Sequence, residues 1–294
     1  MSFPSNFRGV WLQPRCNDAY LASLGINVKI GLEPGGDPTG PVTRPQFIQS
    51  ALQNNLHCIL PPTDDLSVDI ASPAVIGWMH GDEPDQNNSS RVPPETLRQR
   101  TLGLKAADPT KLIFCNFDGN QVLGALAGWN KYDYKTAIEG LDIVSVDLHP
   151  CNWGLANGMV SYGAVLDFFK HIMVPEQHLV ALVETSDENE SFWHNANPGA
   201  HRPTVSEIQA EFNIATSKAD GVFYFMHHLE GNPKFADVLP DAEALLKQLN
   251  APPVSVSTTP VVQSTTPQAS LADTVANVMA RLEKIEKWIN GYGA

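Results

Sequence analysis

Six apolar segments of this 294-residue sequence run directly into side chains that can carry charge or move a proton. One closes on Glu33, a second on Asp82-Glu83, and a third on Asn116 and Asp118. The fourth ends at Asp147 and His149, the fifth at Glu184, and the sixth at His227-His228. Carboxylates dominate this set. Two carboxyls facing one another across a cleft can cleave a glycosidic bond, one giving its proton to the leaving oxygen while the other, ionised, attacks or activates water. Their mutual repulsion helps to push the two pKa values apart. A single strand-end carboxylate serves equally well as a rim salt bridge or a helix cap, so the argument rests on several of them meeting.

What would bring them together is the order of elements. Eight short β-rich runs are predicted at Phe7–Gln13, Ile26–Glu33, His57–Pro61, Val75–Glu83, Lys111–Phe117, Leu141–His149, His178–Glu184 and Gly221–His227. Between them lie segments with apolar residues three and four apart, such as Phe47, Ala51 and Leu52, or Ile208, Phe212 and Ala215. Strand and helix alternating eight times in about 244 residues is the pattern of an α/β protein of the (β/α)8 TIM-barrel type, whose functional residues sit at the C-terminal ends of the strands. An open doubly wound sheet is second, because no G-x-G-x-x-G follows the first strand. Alternation adds a check. With Glu184 inward, Leu182 and Val180 line the core. With Glu83 inward, Met79, Gly81 and Gly77 share its side and His80, Trp78 and Ile76 face the helices. On strand 2 the same rule sets Lys29 inside with Glu33, so either Lys29 is paired within the barrel or the strand has the opposite phase and Glu33 is a rim residue.

The segment Val75-Ile-Gly-Trp-Met-His-Gly-Asp-Glu-Pro-Asp85 resembles the fourth-strand acid/base segment of the clan A glycoside hydrolases, where an apolar strand ends in Asn-Glu-Pro or Asp-Glu-Pro. Val180-Ala-Leu-Val-Glu184 likewise supplies a Glu where that clan carries its nucleophile, at the end of strand 7. The resemblance implies a retaining glycoside hydrolase with Glu83 as acid/base and Glu184 as nucleophile, and with Asp82 holding a sugar hydroxyl or orienting Glu83. Asp147-Leu-His-Pro150 is similar to the Asp-x-Tyr-Pro segment of related barrels, and the likeness extends over most of residues 7–250. Substrate contacts are then expected from Asp82, Glu33, Asn116, Asp147, His149, Trp153, Trp193 and His227, with no cofactor and no metal. Two departures bear on the substrate: Asp82 stands where Asn is usual, and strand 8 lacks the Trp that commonly forms a sugar platform. Trp153, Phe192 and Trp193 can replace it by stacking on sugar C–H faces, or can equally anchor their loops.

Other functions compete. A non-catalytic carbohydrate-binding or structural barrel, displayed on a phage or particle by an oligomerising tail, is the main alternative. A metal-dependent hydrolase using Asp82, Asp147, His149, Glu184 and His227 or His228 is disfavoured, because strand 1 ends without H-x-H and no H-E-x-x-H occurs. The acidic loop Glu184-Thr-Ser-Asp-Glu-Asn-Glu190 argues against phosphate binding at the strand-7 end.

Composition sets the outer limits. Nineteen Lys and Arg against 32 Asp and Glu give a net charge of −13, which disfavours nucleic acid and anionic lipid as partners. Cys16, Cys58, Cys115 and Cys151 show no C-x-x-C spacing and read as buried thiols. Neither a signal peptide nor an apolar stretch of spanning length is evident, so a cytoplasmic or virion-associated location is expected. Three regions are predicted: a barrel over 1–250, an uncharged Pro/Ser/Thr-rich linker over 251–270, and a coiled-coil helix over 271–294. In the last, Leu271, Val275, Val278, Leu282, Ile285 and Ile289 form a heptad seam. Residues 271–289 thus suggest a homo-oligomer, with β-branched residues at both seam positions leaning towards three strands or more. A helix folded back on the barrel is the alternative.

Overall fold

The structure, a computed structural model, describes residues 2–11, 18–31, 43–63, 67–155, 157–185, 199–225 and 240–251. All eight expected strands form: β1 Phe7–Trp11, β2 Val28–Ile30, β3 His57–Leu60, β4 Val75–Met79, β5 Leu112–Asp118, β6 Ile143–Asp147, β7 His178–Glu184 and β8 Gly221–Phe225. They are parallel and close in sequence order into a barrel, β8 pairing back onto β1 from Phe7↔Gly221 to Trp11↔Phe225. Helices connect them, among the described residues α1 Asp18–Ser23, α2 Arg44–Gln53, α3 Ser67–Ile70, α4 Pro94–Ala107, α5 Gly119–Leu126, α6 Tyr134–Ala137, α7 Gly158–Ile172, α8 Val205–Lys218 and α9 Pro240–Leu249. The linker and heptad segment beyond residue 251 lie outside the described residues, as do Cys16 and the end of the second predicted strand at Glu33.

Two apolar cores follow from the alternation of side chains. Phe7, Trp11, Val28, Ile30, Ile59, Ile76, Met79, Leu112, Phe114, Ile143, Val180, Leu182, Phe223 and Phe225 fill the barrel. Val10, Cys58, Trp78, Ile113, Cys115, Val146, Ala181, Val183 and Tyr224 face the helices. Trp11 lies across the interior against Phe114 and Phe223, at centroid distances of 5.9 and 5.5 Å. Gly9 leaves room for the rings around it: a Cβ there would come within 2.9 Å of both Phe223 and Phe7. Phe3 closes the opposite end, stacked on Phe7 and on His178. At the end of α9, buried Asn250 accepts from the Tyr224 hydroxyl at 2.7 Å and donates to the Leu24 carbonyl at 2.9 Å, tying the last helix to β8 and α1. Cys58, Cys115 and Cys151 are buried free thiols.

Two details of side-chain phase differ from simple alternation. Ile76 belongs to the barrel interior rather than the helix side, because the β3–β4 register jumps from Cys58↔Val75 to Ile59↔Gly77 and the extra residue shifts the pleat. Met79 stays inside and Trp78 outside, as expected. On β2, Val28 and Ile30 point inward and Lys29 faces the helices, so the second of the two phases is the one adopted. Lys29 is fully buried, with its Nζ 2.7 Å from Asp18 and 3.4 Å from the Phe47 ring centroid. Removing one member of a buried ion pair strands the other charge. Asp18→Ala should therefore lower unfolding free energy by about 3–5 kcal/mol, measurable as a reduced urea midpoint at unchanged slope.

Candidate functional site

The chemistry expected at the C-terminal ends of the strands is built first on the turn that follows β4. Beyond Met79 the His80 ring turns outward to α4, where its Nε2 meets the Thr101 hydroxyl at 2.8 Å. Burial pushes its pKa down to about 4, which leaves it neutral. Three residues on, Glu83 adopts a left-handed backbone with φ of 43°, a conformation that a non-glycine residue keeps only when its surroundings enforce it. Here the Glu83 N–H donates to the Asn116 carbonyl (3.2 Å), the Gln86 N–H donates to the Glu83 carbonyl (3.1 Å), and the Gln86 amide donates to the Glu83 carboxyl. The strongest anchor is Asp85, fully buried, which accepts from the Asp118 N–H at 3.1 Å and the Tyr134 hydroxyl at 2.7 Å. It bolts the β4 turn to the end of β5.

Asn116 joins three strand ends. Its Nδ2 donates to Asp82 (3.0 Å) and to Asp147 (2.8 Å), while its Oδ1 accepts from the Ser145 hydroxyl (3.0 Å). Both amide hydrogens and the carbonyl are thereby engaged by protein groups, and Asn116 works as a bridge within the site. The result is a knot of carboxyls in which Asp118 and Asp147 are buried and Asp82 and Glu83 half-buried. Burial raises Asp82 to about 6 against the pull of the Asn116 amide. Burial, reinforced by the charges of Asp82 and Asp118, raises Glu83 to about 8. Asp147 is driven well above the ordinary carboxylate range by burial and by Glu83 and Asp82, and Asp85 is raised by burial to about 7. Glu83 bears in turn on Asp147, whose carboxyl it helps to keep protonated.

Glu184 ends β7 in a different setting. Its carboxylate is fully buried and accepts from the backbone N–H groups of Cys151 (2.8 Å) and Asn152 (3.1 Å), which follow β6. His149 Nδ1 lies 3.4 Å from its Oε1. That imidazole is packed between Trp153 (centroids 4.8 Å apart) and Phe225 (5.0 Å, edge-on). It also bears electrostatically on Asp82 and Asp118. The acidic knot of β4–β6 and the Glu184 carboxylate thus flank one histidine at one end of the barrel.

Of the residues singled out from sequence, Asp82, Glu83, Asn116, Asp147 and His149 come together, and Glu184 and Trp153 join them through His149. Glu33, Trp193 and His227, with Phe192 and His228, lie outside the described residues. Three contributors were missed. Asp85 was legible as a carboxylate directly after Glu-Pro, and Ser145 as a hydroxyl on the inward phase of an apolar strand. Glu211 lies on the buried stripe formed by Ile208, Phe212 and Ala215, where its charge is out of place. Cys151, His201 and Glu207 also place S, N and O donors within 4.8 Å of one another. The imidazole there is held by Gly199 and Glu207, and Glu207 closes the capping box of α8 with Thr204, so this group is built as a helix start.

The fold is a (β/α)8 barrel, and solved glycoside-cleaving enzymes share it. It is similar to an FMN-binding β-glucuronidase from Faecalibacterium prausnitzii, with a TM-score of 0.53 and 13% identity over 85% of this chain and 45% of the other. Comparable likenesses are to a calcium-binding mutant of Bacteroides uniformis β-glucuronidase 2 (TM-score 0.53, 11% identity, 83% of this chain and 34% of the other) and to an endo-laminarinase from Formosa (TM-score 0.50, 11% identity, 75% and 78%). The chain therefore spans about a third of the Bacteroides enzyme. No family model and no curated protein matches the sequence. Among the described residues no helix is long and apolar enough to cross a membrane.

The buried acids impose a pH dependence on stability. Asp82, Asp85 and Glu83 have folded pKa values of about 6, 7 and 8, above their ordinary 3.8, 3.8 and 4.5. The folded state therefore binds more protons than the unfolded one, so their stabilising contribution is complete below about pH 4 and is lost as pH rises to about 8. The denaturant midpoint should fall between pH 5 and pH 8. Asp85→Ala should flatten part of that fall and, by orphaning the Asp118 N–H and the Tyr134 hydroxyl, cost about 1–3 kcal/mol per group.

Proposed function

We propose that this barrel cleaves glycosidic bonds of a neutral oligo- or polysaccharide, with Glu83 as the proton donor and Glu184 as the nucleophile of a retaining mechanism. The observation that carries the reading is the state of Glu83: a carboxyl held by an enforced left-handed backbone and raised to about 8, hence protonated at neutral pH. A neutral carboxylic acid at a barrel mouth is what a leaving glycosidic oxygen requires, and an acid with a pKa near the working pH transfers its proton most effectively. Glu184 has the complementary surroundings, two backbone N–H donors that favour the charged form needed for attack on the anomeric carbon. In this reading Trp153 offers a face to the sugar, His149 backs it from within the packing, and Asp82 holds a hydroxyl.

Activity should be present below about pH 8 and fall above it as Glu83 loses its proton. Glu83→Gln should remove that alkaline limb and lower kcat roughly 10²–10⁴-fold on glycosides with poor leaving groups. Aryl glycosides whose leaving group needs no proton should be affected far less. Measuring kcat/KM against pH on both substrate types, over a glycan panel with the first-released anomer determined, tests the acid, the nucleophile and retention together.

A second reading, a sugar-binding barrel without turnover, is favoured by one observation: Glu184 has no exposed surface. Saturable glycan binding with no new reducing ends from any member of the panel would select it.

A further inference from the structure

The residue beneath Glu184 is another glutamate. Glu211, on α8, is fully buried, and its Oε2 accepts the backbone N–H of Glu184 at 2.7 Å. Its second oxygen, Oε1, is also buried and receives no N–H or hydroxyl donor. One carboxyl oxygen each of Glu211 and Glu184 and the Cys151 sulfur lie within 4.8 Å of one another. Two carboxylates cannot both be charged at that range inside a protein, so one holds a proton. The donor count decides which. Glu184 accepts two backbone N–H groups and faces His149, whereas Glu211 accepts one N–H and nothing else.

We propose that Glu211 is a positioning residue for Glu184: a neutral carboxyl whose O–H donates to the Glu184 carboxylate, holding it ionised and aimed. The proposal rests on the reading of Glu184 as nucleophile. It accounts for a Glu on the apolar stripe of α8, where a charge would be costly and a neutral acid with one satisfied acceptor and one used donor is not. The groups facing Glu211 are Glu184 from β7, Cys151 from the segment after β6, Tyr162 from α7 and Glu207 one turn earlier on its own helix. The Cys151 thiol and the Tyr162 phenol are both pushed far up by burial, so neither titrates near neutrality. Glu211 itself is driven well above the ordinary carboxylate range by burial and by the Glu184 charge.

Two variants of the full chain test this with two readouts. Glu211→Gln keeps an acceptor for the Glu184 N–H and an N–H donor for its carboxylate, but takes up no proton. Its denaturation midpoint relative to wild type should rise steadily from pH 5 to pH 8, because wild type must keep a proton that the unfolded chain releases. A difference that stays flat over that range overturns the proposal whether or not the barrel is an enzyme. The second readout is kinetic, on any glycan that is turned over. Glu211→Leu should lower kcat about tenfold with KM unchanged and move the acid limb of kcat/KM up by about one pH unit, and Glu211→Gln should restore both. Loss of stability in Glu211→Leu with an unmoved acid limb would make Glu211 merely structural. Failure of every glycan, with the rising midpoint difference intact, would instead remove the enzymatic reading and leave the paired carboxyls standing.

Discussion

More carboxyls are buried at the C-terminal end of this barrel than there are cations to meet them. Asp82, Glu83, Asp85, Asp118, Asp147, Glu184 and Glu211 are gathered there, and among the described residues none of them makes an ion pair with Lys or Arg. Each must therefore be neutralised by a proton or satisfied by hydrogen bonds from backbone N–H, amide and hydroxyl groups, since an unpaired charge in such surroundings costs several kcal/mol. Asn116, Tyr134 and the amides at 118, 151 and 152 supply the donors. Contrast this with the helix side of β2, where the equally buried Lys29 is met directly by Asp18. Counter-charge was available to the fold there, whereas among the described residues these carboxyls are met without it.

The barrel makes this gathering possible because its closed parallel sheet presents inward residues of neighbouring strands at matched heights. The pairings Asn116↔Ser145 and Asp118↔Asp147 set β5 beside β6, and Glu184↔Phe225 sets β7 beside β8. Below that level the same phases carry Phe114, Ile143, Leu182 and Phe223, an apolar plug that lets no water reach the carboxyls from beneath. The raised pKa values are thus a consequence of the packing under the site as much as of the groups within it.

How much of this could be read from residues alone follows the range of the interactions. Strand positions are dictated by local apolar runs, and all eight are where the pattern puts them. The convergence of Asp82, Glu83, Asn116, Asp147 and His149 follows from closure plus alternation, and both were legible. Less so was the phase of β4: the extra residue at Ile76 is invisible in a run that is apolar throughout, since Val75-Ile-Gly-Trp-Met reads alike in either register. Lys29 was ambiguous because its partner, Asp18, opens a helix eleven residues earlier and nothing local links them. Asp85 and Glu211 were missed for a related reason. Their roles depend on Asp118, Tyr134 and Glu184, which come near only when the helices fold back over the strands, and a Glu on an apolar stripe looks like a helix's ordinary solvent-facing charge until its face is known.

The two glutamates at the centre of the proposed chemistry differ in their neighbours rather than in their kind. Glu83 sits among Asp82, Asp118 and Asp85, and burial together with their charges favours its keeping a proton. Glu184 sits against two backbone N–H groups, the His149 ring and the Glu211 carboxyl. One environment is rich in acceptors and the other in donors, and the strand order places them on opposite sides of His149. This explains the position of Glu211 at β7 rather than β4: a buried carboxyl that holds its own proton strengthens a carboxylate beside it, whereas next to Glu83 it would only add to protons already held.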